Sequence, residues 1–336
     1  YCSILQEYQT STLCFPDLHN LTCSRSERVR STFLTSLLSS MTAVTVLLNL
    51  LLIVSISHFR QLHTATNYLV FSLAVTDFLM GLLQMPTELL LYQGCWLHGD
   101  ALCVVNFLFG EFLVSVSIGN MVLISVDRYI AVCEPMFYST KVTVKRVQLC
   151  VCLCWLFSAV HSSWMIRDMF SDDPKYDLCS GECVVVLRLF ENAFDTAVTF
   201  LGPITVIVLL YSRVFAVAVA QAQAMRSQIA AFSLKRSEAV RPKKSELKAA
   251  RTLGVVVVVF LFCYSPLCLI TVGILNNPTW ELSTTLQYWL IYCNSLLNPL
   301  IYAFVYPWFR KSMKHIVTLQ ILQPNSSETN VLKTLT

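Results

Sequence analysis

Seven long apolar stretches constrain this chain more than any other feature. They lie near residues 33–57, 67–92, 102–126, 147–166, 190–212, 252–275 and 284–306. Each reaches or approaches the roughly 20 residues that a helix needs to cross the hydrocarbon core of a bilayer. Inside lipid every backbone amide must be satisfied by its own segment or a closed barrel, and stretches this long select helices. Charged residues make up 13% of the 336, against roughly 25% in soluble domains. The expected fold is therefore an all-α membrane protein, a seven-transmembrane helix bundle over 33–306. A polar segment, 1–32, precedes it, and a tail, 307–336, follows. In that tail Trp308, Phe309, Arg310, Lys311 and Lys314 predict a short amphipathic helix lying on the inner membrane surface.

Seven spans put the two ends of the chain on opposite sides. Eighteen of the 24 lysines and arginines fall on the side of Arg60, Arg128 and Lys311, and six on the N-terminal side. The positive-inside rule makes the first side cytoplasmic and the N-terminus extracellular. Twelve acidic residues lie on or near the outer face, five on the inner face, and Asp77, Glu111 and Asp195 within spans. An acidic outer vestibule attracts cations, although keeping a loop in water is reason enough for any single loop acid. The basic loop 213–251 reads as a positive-inside loop that meets anionic lipid, or in addition as a docking surface for a cytoplasmic protein.

The third stretch carries three kinds of group at once. Cys103 and Arg128 would lie roughly 37 Å apart along one helix, so each sits near one face of the membrane. Glu111 lies between them near the outer end, and Asp127-Arg128-Tyr129 closes the inner end. An ionisable group within a span is costly and is a functional candidate by default. The same holds for Asp77 in span 2 and Asp195 in span 5. Pro86 and Pro266 predict kinks in spans 2 and 6. Trp155 in span 4 reads as packing.

Of the 14 cysteines most fall within spans. Those on the outer side face an oxidising compartment, where disulfides persist. Cys103 can pair with Cys183, and Cys179 with Cys14 or Cys23. The sequon Asn20-Leu21-Thr22 would be open to glycosylation on that side.

Asn49, Asp77, Asp127-Arg128-Tyr129, Trp155, Pro203, Pro266 and Asn298-Pro299-Leu300-Ile301-Tyr302 fall one per span, in order. With this set the chain resembles a class A (rhodopsin-like) G-protein-coupled receptor. Cys14-Phe15-Pro16 with Cys23, Gly94-Cys95-Trp96, the Cys179 and Cys183 pair and Tyr292 are similar to the trace-amine-associated receptors, an amine-sensing and mainly olfactory group. The resemblance implies a plasma-membrane receptor for a small amine, coupled to a stimulatory heterotrimeric G protein of the olfactory type, with no enzymatic activity and no nucleic-acid partner. It implies a switch in which Arg128 pairs with Asp127 and with Glu246 at the base of span 6, while Tyr211 and Tyr302 hold the open state. It also implies a sodium site at Asp77, Ser117, Asn294 and Asn298. The alternative there is a hydrogen-bonded polar core without an ion, and no other cofactor is expected.

Two positions depart from that pattern. Gly110 stands where amine receptors usually carry an Asp, and Glu111 beside it is rotated by roughly 100°. Asp195 in span 5 is similar to the carboxylate of a subset, prominent in fishes, that moved the amine anchor there. Tyr264 replaces the usual Trp before Ser265-Pro266, and Leu267 and Cys268 replace aromatics, so a smaller or softer pocket floor is expected. Asp195 is the expected partner of a protonated amine. Tyr288 and Tyr292, four residues apart on one helix face, would offer rings to the cation, with Thr271, Tyr264 and Phe200 completing the pocket. Glu111 reads either as a second carboxylate, suiting a diamine or polyamine, or as a neutral packed glutamate. The rival classes are a receptor of this fold for a peptide and, less favoured, a transporter or channel. No lysine lies in span 7 to bind retinal.

Overall fold

A computed structural model describes residues 32–92, 99–167, 183, 189–231, 254–264 and 280–332. Eleven α-helices appear among them, and no strand. In chain order they are α1 (Thr32–His58), α2 (Ala65–Leu79), α3 (Met85–Tyr92), α4 (Asp100–Cys133), α5 (Pro135–Lys141), α6 (Val144–Met165), α7 (Leu189–Asp195), α8 (Gly202–Ala231), α9 (Gly254–Tyr264), α10 (Trp280–Val305) and α11 (Pro307–Val317). Span 2 is α2 and α3 joined by a π-helical turn, Met80–Gln84; span 5 is α7 and α8 joined by another, Thr196–Leu201. Each π turn ends just before a proline, Pro86 or Pro203. Proline cannot donate to the carbonyl four residues back, and the extra residue of a π turn absorbs that break. The kink expected at Pro86 thus takes the form of a π turn, and a second π turn, not foreseen from the sequence, precedes Pro203. Pro266 lies outside the described residues.

Five of these helices are long and apolar enough to cross a membrane, among the described residues. Their outer faces explain why water is the wrong solvent. Leu149, Leu153, Leu156, Phe157 and Val160 all stand exposed on α6, and Phe215 and Phe304 on α8 and α10. A continuous apolar belt of this kind would drive aggregation in water and is satisfied by lipid.

Helix α4 is the centre of the bundle and packs against α2, α6 and α8, while α1 packs against α2 and α10. Close approach of α4 to α6 depends on Gly119, where an added Cβ would lie 2.3 Å from Cys154 Sγ. Polar side chains fasten helices at mid-depth: Trp155 Nε1 donates to Ser72 Oγ at 2.9 Å, Ser115 to Ser158 at 2.9 Å, and Asn49 Nδ2 to the Ser295 carbonyl at 3.1 Å. Cys103 and Cys183 form a disulfide with Cα atoms 5.5 Å apart, tying the start of α4 to the connection before span 5.

The amphipathic helix expected after span 7 is α11. Trp308, Phe309 and Ser312 are buried on one face, and Arg310 is exposed. Arg310 Nη1 donates to the last free carbonyls of α10, Ala303 at 2.9 Å and Phe304 at 2.8 Å, which stops one helix and turns the chain into the next. Beyond it the tail folds back on the first inner loop. Ser326 Oγ lies 2.9 Å from His58 Nε2, Arg60 pairs with Glu328 at 3.3 Å, and Val331 is buried.

Candidate functional site

The outer half of the bundle gathers ionisable side chains from three spans. Asp195 is the last residue of α7, with regular helical backbone angles, immediately before the π turn. It is 7% exposed, and Thr199 Oγ1 donates to its Oδ1 at 2.8 Å. His161 of α6 brings Nε2 to 3.6 Å from the same oxygen. Glu111 of α4 completes the group: one ligand atom from each of the three residues lies within 4.8 Å of the others. The Glu111 and Asp195 carboxyl groups thus face each other within 4.8 Å. Two ionised carboxylates cannot sit this close in an apolar surrounding, so the pair calls for a cation or a proton between them. An aromatic wall backs the cluster, with Phe157 and Phe194 stacked on His161 at 6.0 and 6.3 Å and Trp164 edge-on to Phe194 at 5.1 Å. Glu191, one turn above Asp195, is taken by Arg167 at 3.0 Å, and the Arg167 guanidinium lies 4.3 Å over the Trp164 ring.

A second acid also faces inward. Gln84 Nε2 donates to Glu88 Oε1 at 3.5 Å, and Tyr292 of α10 bonds the same carboxyl. The Gln84 amide lies beside Gly110, where an added Cβ would meet Nε2 at 3.0 Å. The space next to residue 110 is therefore filled from span 2. Sequence alone groups Glu88 with the outer-face acids; the π turn at Met80–Gln84 shifts the register of α3 and turns it inward. The floor below is Tyr264, fully buried, 4.5 Å from the Phe260 ring and 6.3 Å from Phe200. Tyr264 packs there as an aromatic whose hydroxyl approaches Ser117; Leu267 and Cys268, the other residues on which the expectation of a smaller or softer floor rests, lie outside the described residues. Thr271 and the side chain of Tyr288 lie outside the described residues.

Beneath the floor Asn298 Nδ2 donates to Asp77 Oδ2 at 2.9 Å. Asp77 Oδ1, Ser117 Oγ, Asn294 Oδ1 and Asn298 Oδ1 are buried without a hydrogen-bond partner. Four orphaned oxygens in one polar core fit a small hard cation, which takes oxygen ligands.

At the cytoplasmic end, Arg128 and Asp127 are 5% and 4% exposed and form an ion pair, with Arg128 Nε donating to Asp127 Oδ2 at 3.0 Å. Arg128 Nη2 also donates to Thr66 Oγ1 at 2.7 Å. Tyr138 of α5 donates to Asp127 Oδ1 at 3.0 Å and lies 3.0 Å from Thr66. Burial and the Asp127 charge push the Tyr138 phenol above its ordinary range, so it stays a neutral donor. Arg128 is thereby held by span 2 and by the helix after span 3. Glu246 lies outside the described residues, as do Cys14, Cys23, Cys179 and Asn20. The hydroxyls of Tyr211 and Tyr302 are buried with no hydrogen-bond partner, and Tyr129 packs against Val132 and Val214. Pro299 sits inside α10 next to Asn298.

Residues 48–302 match the family described as 7 transmembrane receptor (rhodopsin family). The chain is 38% identical to trace amine-associated receptor 13c of Danio rerio over 97% of its length and 98% of the relative's. It is 39% identical to trace amine-associated receptor 7a of Rattus norvegicus (84% and 81% covered). With trace amine-associated receptor 1 of Mus musculus it shares 36% identity (88% and 92% covered).

The chain is a trace amine-associated receptor of the rhodopsin family. It is a multi-pass plasma-membrane receptor rather than an enzyme, and its family implies a small-molecule ligand and a heterotrimeric G protein as partners. The structure pairs Asp127 with Arg128 and brings Asp195 and Glu111, both of which the sequence singles out, into one cluster with His161, which it does not. A signal for it exists: His161 is an ionisable side chain in an apolar run, the same criterion that singles out Glu111.

Proposed function

We propose that this receptor binds a protonated amine at Asp195, with its N-terminus outside the cell, and activates a stimulatory G protein of the olfactory type. The observation that carries the reading is the Asp195 carboxylate. It is 7% exposed, a neutral hydroxyl, Thr199 Oγ1, donates to it at 2.8 Å, and a second carboxyl faces it. An alkylammonium supplies the missing positive charge in surroundings where a charge-assisted hydrogen bond is strong. The names of the relatives point the same way. The disulfide at the head of α4 supports an outward-facing N-terminus, because disulfides persist on the oxidising side and spans 1 and 3 run in the same direction. Asn20 would then be exposed for glycosylation. A sodium ion held by Asp77, Ser117, Asn294 and Asn298 would neutralise the mid-membrane carboxylate.

A cAMP assay on cells expressing the full chain tests this, with alkylamines set against alcohols of the same shape. Amines are expected to act and the neutral isosteres to be silent. Equal responses to both, or a response to peptides alone, would end the amine reading. An amine response read in calcium but not in cAMP would end stimulatory coupling alone.

Glu111 and Asp195 are too close to seat two separate ammonium groups, so they form one cation site. Glu88, held with Tyr292 and Gln84 beside Gly110, is the second site for a diamine. Glu111→Gln is expected to weaken monoamines and diamines alike, about ten-fold, by removing one charge near the cation. Glu88→Gln is expected to weaken diamines selectively. Concentration–response curves for the two ligand classes on both variants decide it, and a Glu88→Gln variant that shifts both classes equally would remove Glu88 from recognition.

A further inference from the structure

We propose that Glu111, His161 and Asp195 also form a binding site for a divalent transition-metal ion, with zinc as the representative. A zinc ion bound by N and O ligands at 2.0–2.2 Å sets neighbouring ligand atoms about 3.3–3.6 Å apart in a tetrahedron. His161 Nε2 and Asp195 Oδ1 are 3.6 Å apart, on that edge and beyond an ordinary hydrogen bond. Glu111 brings a carboxyl oxygen within 4.8 Å of both, and its Oε1 is buried with no hydrogen-bond partner. A change in the Glu111 side-chain torsions closes the remaining gap of roughly an ångström.

His161 is the observation that points to a metal. It is 6% exposed, and both ring nitrogens are buried with no hydrogen-bond partner. Orphaned ring nitrogens in an apolar wall cost free energy unless something accepts the lone pair. The ring is oriented by aromatic stacking, with Phe157 at 6.0 Å and 16° and Phe194 at 6.3 Å and 30°. That stacking does for the ring what a hydrogen bond from the second nitrogen does in most metal sites. Charge closes the argument, because two carboxylates and one neutral imidazole make a dication electrically neutral in a buried place. One nitrogen and two oxygens favour zinc, copper or nickel over calcium or magnesium, which prefer oxygen alone. Three protein ligands leave a coordination position open, so the ion exchanges. Its ligands come from spans 3, 4 and 5, and its occupancy removes the carboxylate that the amine needs. Zinc is therefore expected to antagonise the amine; this consequence rests on the reading above, whereas the binding itself does not.

The purified full-length receptor in nanodiscs, titrated with cobalt and then zinc in the absence of amine, tests the site. Expected is one cobalt ion with the visible bands of a four- or five-coordinate nitrogen–oxygen site and no thiolate charge-transfer band, displaced by zinc. His161→Gln is expected to weaken zinc by at least about ten-fold, and Glu111→Gln, the smaller change, to move affinity the same way. Equal zinc affinity in wild type and both variants would overturn the site, and so would cobalt bands of thiolate type, which place the ion on cysteines. Cobalt bands intact in a receptor that ignores every amine would sink the amine reading and leave the metal site standing. Amine responses with no cobalt bands would do the reverse.

Discussion

Asp195→Asn is expected to raise the amine concentration needed for half-maximal G-protein activation by at least about 100-fold, equivalent to roughly 3 kcal/mol. Asparagine keeps the shape of the side chain and can still accept from Thr199, which now donates to Asp195 Oδ1 at 2.8 Å. What it loses is the charge. The carboxylate lies on the protein side of a wall built from Phe157, Phe194 and Trp164. There Glu191 cannot replace it, because it is already paired with Arg167. Glu111 remains as a single carboxyl, which sets the residual response. Thr199→Val, which removes the neutral donor and keeps the charge, should cost about ten-fold or less. Surface-expressed receptor, normalised for level and read by G-protein activation, gives the comparison. An Asp195→Asn receptor with an unchanged amine response would place the cation elsewhere and end the assignment.

The spans are legible in the sequence because each is long, apolar and bounded by charge, and those are properties of composition. Hydropathy sets span 1 at 33–57, and the helix is Thr32–His58; it sets span 4 at 147–166, and the helix is Val144–Met165. The inner ends are not legible in the same way. Hydropathy ends span 3 at 126, yet α4 runs to Cys133, and α8 runs to Ala231 rather than stopping near 212. Hydropathy marks where lipid ends, and a helix continues into water as long as its residues favour it and nothing breaks it. Helix α5 escapes notice for the opposite reason. It is short, and its signal is Pro135 at the first helical position after Glu134. The π turns matter most for function. The extra residue in each of the turns at Met80–Gln84 and Thr196–Leu201 changes the facing of side chains beyond the turn relative to those before it, Glu88 among them. The proline that predicts a break is visible in the sequence; the direction in which the break turns the side chains is settled by packing.

Asp127→Asn is expected to raise basal G-protein activation several-fold or more and to lower thermal stability in the same receptor. In this structure Arg128 is 5% exposed, and Asp127 is the single negative side chain bonded to it among the described residues. Taking the charge from one member of a buried pair costs about 3–5 kcal/mol, because the other is left uncompensated. An arrangement with a cytoplasmic cleft, in which the guanidinium meets water, does not suffer that loss, so the substitution raises the free energy of the closed state alone. A shift of roughly 2.7 kcal/mol carries a two-state receptor from 1% open to about half open. The neighbours grade the effect. Tyr138→Phe removes a neutral donor to Asp127 Oδ1, and Thr66→Val removes an acceptor of Arg128 Nη2; each should be worth about 1 kcal/mol, or roughly five-fold in the open population. Nucleotide exchange on a G protein reconstituted with each variant, without ligand and at matched receptor levels, measures the series. Basal exchange in Asp127→Asn equal to wild type would show that the pair holds no latch, and that Arg128 is restrained by groups other than Asp127, Thr66 and Tyr138.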